Sequence, residues 1–65
     1  MKVFIQKYYN NQAKIRFQVV CDHKLNKRLK PTKEQAYVLC DDILTYEAAE
    51  KTALFYAKEL KNETN

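Results

Sequence analysis

The residues best suited to chemistry fall in two similar phrases, Val20-Cys21-Asp22-His23 and Leu39-Cys40-Asp41-Asp42. A cysteine acts as nucleophile only as a thiolate beside an orienting base, and His23 is the single histidine of a chain that has no serine. Zinc is the other chemistry that Cys21, His23, Cys40 and Asp41 suggest. Structural zinc sites bring their ligands in close pairs such as CxxC, and no such pair occurs. Asp41-Asp42 resembles an acid–base pair, yet adjacent carboxylates more often begin a loop and cap a helix. With no glycine in the chain, glycine loops that cradle phosphates are excluded, and residues that need positive φ must be Asn or Asp. Both cysteines are therefore expected to be plain thiols, with no catalytic site, no metal and no cofactor.

What must position any site is a small domain. The 65 residues are 46% hydrophobic and 31% charged, a balance that folds around one small core. Ala13 to Asp22 carries the clearest pattern: Ala13, Ile15, Phe17, Val19 and Cys21 alternate with Lys14, Arg16, Gln18 and Asp22, and only Val20 breaks the order. Period two is the signature of a strand with one buried and one wet face. Lys2 to Tyr9 supplies the preceding strand, and Asn10-Asn11-Gln12 reads as a hairpin turn, since Asn tolerates left-handed backbone. A two-residue loop would set Lys2 and Gln6 on the face of Ile15, Phe17 and Val19. A three-residue loop sets Val3, Ile5 and Tyr9 there, with only Lys7 out of place, and burial selects it. The other face then carries Lys2, Phe4, Gln6 and Tyr8 beside Lys14, Arg16, Gln18 and Val20. Rings interleaved with basic side chains suit stacking on bases with contacts to phosphates.

Residues 23–35 read as a basic loop. His23 to Lys33 holds six basic or potentially basic side chains, and Leu25 and Leu29 allow a short helical turn before Pro31. Lys24, Lys27, Arg28 and Lys30 are candidates to follow a phosphate backbone. Residues 1–33 hold nine Lys/Arg and one acid, net +8, whereas residues 34–65 hold three Lys and seven acids, net −4. Such a block attracts partners of opposite charge, nucleic acid or an acidic protein. MKVFIQKYY lacks the apolar core and cleavage site of a signal peptide, and no apolar run approaches a membrane span, so a cytoplasmic setting without membrane is expected.

Residues 36–41 form a third expected strand, and Thr45 is a good cap for a helix over 45–62. Glu47 and Glu50 lie near its start and Lys58 and Lys61 near its end, complementing the macrodipole, and Glu47 with Lys51 makes an i, i+4 pair. Tyr46, Ala49, Ala53, Tyr56, Ala57 and Leu60 share the face expected to meet the sheet. Phe55 lies nearly opposite, between Lys51 and Lys58, and marks a possible partner or homodimer face.

The helix opening T-x-E-A-A (Thr45, Glu47, Ala48, Ala49), the alanines that follow, and the basic outer positions Lys14 and Arg16 resemble the small three-strand-plus-helix DNA-binding domains of the AP2 type and of phage integrase arm-binding regions. The family's glycines and its tryptophan or arginine signatures are missing here. That resemblance implies a sheet whose outer face enters the major groove. The expected fold is α+β, a three-stranded antiparallel sheet with the C-terminal helix packed on one face, forming a single domain over 1–65. The expected function is a small basic, non-enzymatic module that binds nucleic acid through the outer sheet face and the basic loop. The alternative is a protein-interaction module, a small regulator or inhibitor of phage or mobile-element type, which binds an acidic protein or self-associates through its helix.

Overall fold

The computed structural model describes residues 2–22, Pro31 and 36–63, with side chains through Glu59. Its elements are β1 (Val3–Tyr9), β2 (Ile15–Cys21), β3 (Tyr37–Ile43) and α1 (Tyr46–Glu63). The three strands form one antiparallel sheet in the order β1-β2-β3, and α1 packs on one of its faces. The fold is α+β. No helix among the described residues is long and apolar enough to cross a membrane.

The hairpin shows how local chemistry sets the register. β1 and β2 pair from Val3↔Cys21 to Tyr9↔Ile15. The loop has three residues, but they are Asn11-Gln12-Ala13 rather than Asn10-Asn11-Gln12. Asn10 and Lys14 close it, with Asn10 N–H donating to the Lys14 carbonyl at 2.9 Å and Ala13 N–H to the Asn10 carbonyl at 2.9 Å. The Asn10 side-chain oxygen accepts from the N–H groups of Gln12 (2.9 Å) and Lys14 (3.0 Å). Asn is therefore used for its side chain, and the left-handed position falls on Ala13, at φ 59°. The expectation that positive φ would fall only on Asn or Asp fails here, because a three-residue hairpin loop needs its left-handed residue at the third place whatever occupies it. The pairing is thus shifted by two residues from the expected one. A shift of two leaves every side chain on its face, so Val3, Ile5, Lys7 and Tyr9 share a face with Ile15, Phe17, Val19 and Cys21 as expected.

β3 runs to Ile43 rather than ending near Asp41. It pairs through Cys21↔Tyr37, Val20↔Val38, Val19↔Cys40 and Phe17↔Ile43, with register irregularities on either side of Val19. Leu39 is the extra residue at one, and Asp41 and Asp42 together oppose Gln18 at the other. Asp42 sits at φ 56°, a conformation that Asp tolerates and most residues resist. Bulges of this kind bend and twist the strand that carries them.

Thr45 caps α1, its hydroxyl accepting from Ala48 N–H at 3.1 Å, and Lys51 reaches Glu47 at 3.8 Å. The helix lies over the Ile5, Phe17, Val19 face. Tyr46 meets Phe17 edge-on at 5.7 Å, and Ala49 is fully buried, small enough to let the helix backbone close on the sheet. Thr52, Ala53 and Tyr56 are half-buried around it, but Ala57 is exposed. At 3.6 residues per turn Ala57 points roughly 80° away from Ala49, outside the face that Thr52 and Ala49 define. Val19, Val20, Cys21, Ala36 and Ala49 make up the buried core.

Because Ala13 adopts a left-handed conformation that costs an alanine about 1 kcal/mol, Ala13→Asn should raise the unfolding free energy by an amount of that order and move the urea midpoint upward. Asn10→Ala removes two hydrogen bonds to turn amides and should lower stability by about 1–2 kcal/mol, or roughly 4–16 °C in Tm for a domain of this size. Thermal and urea denaturation of both variants check this.

Candidate nucleic-acid interface

The sheet face away from α1 is built in rows by the register. Phe4, Val20 and Val38 make one row, Gln6 and Gln18 the next, and Tyr8 and Arg16 the third. Lys14 lies beyond them, exposed where the hairpin turns, and Lys2 and Asp22 close the other end through two backbone-directed hydrogen bonds. Phe4, Tyr8, Lys14 and Arg16, singled out from the sequence, are therefore brought to one side of the sheet.

The rows differ in what they offer a ligand. Val20 is fully buried although it stands on the face away from α1, so the apolar row exposes little beyond the Phe4 ring, which is 38% exposed. In the middle row the Gln18 amide donates to the Gln6 side-chain oxygen at 2.8 Å. Three lone pairs and three amide protons of that pair stay available. Its planar groups are held side by side on the surface.

The third row holds an ion pair to which the sequence did not point. Arg16 Nε lies 3.3 Å from Asp42 Oδ1, and the Arg16 side chain is only 20% exposed against 73% for Asp42. The approach is off-line for a hydrogen bond from Nε, so the contact is an ion pair by charge. Arg16 Nη1 donates to its own residue's neighbour, the Ile15 carbonyl, at 2.8 Å. The Tyr8 hydroxyl in turn accepts from Asp42 N–H at 3.0 Å. Arg16, Tyr8 and Asp42 thus tie β1, β2 and the β3 bulge together across the sheet. Arg16 is a positioned, partly neutralised guanidinium rather than a free cation. A guanidinium carries five donors, so N–H groups remain beyond the one given to Ile15. The signal that would have found Asp42 is the absence of glycine: a bulge that needs positive φ must recruit another residue, and Asp41-Asp42 is where an Asp occurs inside a run of strand formers.

Of the remaining candidates, Lys24, Lys27, Arg28 and Lys30 lie outside the described residues, as does His23. Lys51, Phe55 and Lys58 are exposed on the helix, away from the sheet face described above. Phe55 is 59% exposed and meets Tyr56 edge-on at 5.4 Å, while Lys51 is engaged with Glu47. Cys21 is buried and Cys40 half-buried, both as thiols, and no cluster of three or more metal-ligating side chains occurs among the described residues.

No protein-family model matches the chain, and neither a curated protein nor a solved structure matches it.

The Arg16–Asp42–Tyr8 group supports the bulge as well as the surface. Asp42→Ala should cost about 1–2 kcal/mol, because alanine resists the left-handed conformation and leaves a partly buried guanidinium without its partner. Asp42→Asn keeps left-handed tolerance and should cost less. Urea titrations that rank the two variants alike would contradict this.

Proposed function

We propose that this chain is a small binding module that contacts nucleic acid through the face of its sheet away from α1, mainly through the phosphate backbone. The observation that carries the reading is the division of the sheet. With α1 on one face, the opposite face presents Phe4, the Gln6–Gln18 pair, Tyr8 and Arg16 together, with Lys2 and Lys14 exposed at its two ends. A partly exposed ring offers a stacking surface, and the amide pair and the Arg16 guanidinium offer donors at fixed positions. Lys14 and Lys2 supply mobile charge at the margins, and the net charge of +4 favours a polyanion.

Protein interaction is the second reading, by self-association or apolar docking on the outer face of the helix. It is favoured by Leu54 and Phe55, exposed by 72% and 59% on a helix that needs neither to hold the sheet. The two readings separate on salt. Phosphate contacts release counterions and make affinity fall steeply with ionic strength, whereas apolar docking does not.

Fluorescence anisotropy with labelled single-stranded DNA, duplex DNA and RNA tests the first reading. Lys14→Ala and Arg16→Ala should each weaken binding several-fold and each reduce the log–log salt slope by about one. Asp42→Asn removes the carboxylate that shares Arg16's charge and should strengthen binding. No binding at about 50 mM salt, or affinity that ignores salt, overturns the reading.

A further inference from the structure

The two edges of the sheet are unlike. β3 carries two irregularities and the Asp41-Asp42 bulge, the devices by which natural sheets blunt an edge. β1 has none. Val3–Tyr9 is seven residues of regular strand without bulge or proline, and among the described residues nothing pairs with its outer side. The hydrogen bonds of the hairpin settle which groups are unused. Asn10 N–H donates to Lys14 and the Lys2 carbonyl accepts from Asp22, so the even residues of β1 face β2. The N–H and C=O groups of Val3, Ile5, Lys7 and Tyr9 therefore point outward from the sheet, as alternation in an antiparallel ladder requires.

The helix leaves this same edge unfinished. Ile5, Tyr46, Glu50, Ala53 and Leu54 line an open groove of about 220 Å³ between β1 and α1. Leu54 and Tyr46 are 72% and 55% exposed there, and Lys7 is exposed on the same face, one strand position beyond Ile5 in the alternation.

We infer that β1 pairs with β1 of a second copy of this chain, antiparallel about a two-fold axis through Gln6, giving one continuous six-stranded sheet. A two-fold axis at that residue sets Val3 opposite Tyr9 and Ile5 opposite Lys7 of the other copy, so the four outward-pointing residues form the hydrogen-bonded pairs and the whole strand is used. Both helices then lie on one face, and the two grooves meet across the axis. Charge selects this occupant. Each groove has Glu50 beside Ile5, and each Lys7 arrives opposite Ile5 of the other copy, so Lys7 meets Glu50 twice by symmetry. Axes at the neighbouring residues do worse: one at Lys7 would oppose the two lysines, and one at Ile5 would set Lys7 against Val3. The pairing also joins the two faces away from α1, with Phe4 of one copy opposite Tyr8 of the other. It does not depend on what that face binds.

Sedimentation velocity from micromolar to millimolar concentration should show a reversible dimer. Lys7→Pro removes an outward N–H while leaving the bonds to β2, and should abolish the dimer with the circular dichroism spectrum retained. Lys7→Glu should weaken association by about tenfold or more, and Lys7→Glu combined with Glu50→Lys should restore it. That swap decides the matter if the proline variant fails to fold. A wild-type chain that stays monomeric, with Lys7 then guarding a solitary edge, overturns the inference. So does a dimer that survives Lys7→Glu, or one that is broken instead by Phe55→Asp.

Discussion

The structure depends on the turn that Asn10 holds. Four hydrogen bonds converge on this one residue, two through its backbone and two through its side-chain oxygen. Together they fix which residue of β1 opposes which residue of β2. Everything functional inherits that choice. A slip of one residue would turn Phe4 and Tyr8 toward α1 and send Ile5 to the open side, and the sheet would lose both its core and its surface at once. The strained Ala13 is the cost of the arrangement, carried at an exposed loop tip where it disturbs no packing.

From that register the division of labour follows. The helix-side face packs small residues tightly, with Ala49 and Val19 fully buried and Phe17 set against Tyr46. The other face is built from polar pairs, Gln6 hydrogen-bonded to Gln18 and Arg16 ion-paired with Asp42, which are not buried deeply. Such pairs contribute little to stability when exposed, but they hold donors and acceptors in fixed positions.

Much of this was legible in the sequence, and the parts that were not share a cause. The alternation from Ile15 to Cys21, the Thr45 cap, the Glu47–Lys51 pair and the face that holds Ala49 and Ala53 are local patterns, and local patterns survive folding. The hairpin length was readable too. Its placement was not, because a period-two pattern looks identical after a shift of two residues, and the chemistry that breaks the tie is the Asn10 side chain bonding to amides two and four residues ahead. β3 is the harder case. Its bulges and the left-handed Asp42 arise from fitting a strand of one length against another, a tertiary demand that leaves no periodic trace. Arg16 was legible as a basic outer residue, but not as the partner of Asp42. That pairing joins two strands whose register only the folded sheet defines. Val20 shows the same limit: its break in the alternation was visible, while its complete burial was not, because its place between Phe4 and Val38 is defined only by the folded sheet.

The central claim is that the face of the sheet away from α1 is the surface at which a polyanion docks. The most direct measurement is a heteronuclear NMR titration that follows the side-chain amides of Gln6 and Gln18 and the Nε–H of Arg16 as a single-stranded oligonucleotide is added. The account predicts that the signals of these three side chains shift together and saturate with the binding curve, while side-chain signals of Thr52 and Phe55 on the helix stay in place. Shifts confined to the helix, or none at an oligonucleotide concentration that saturates binding, would contradict it.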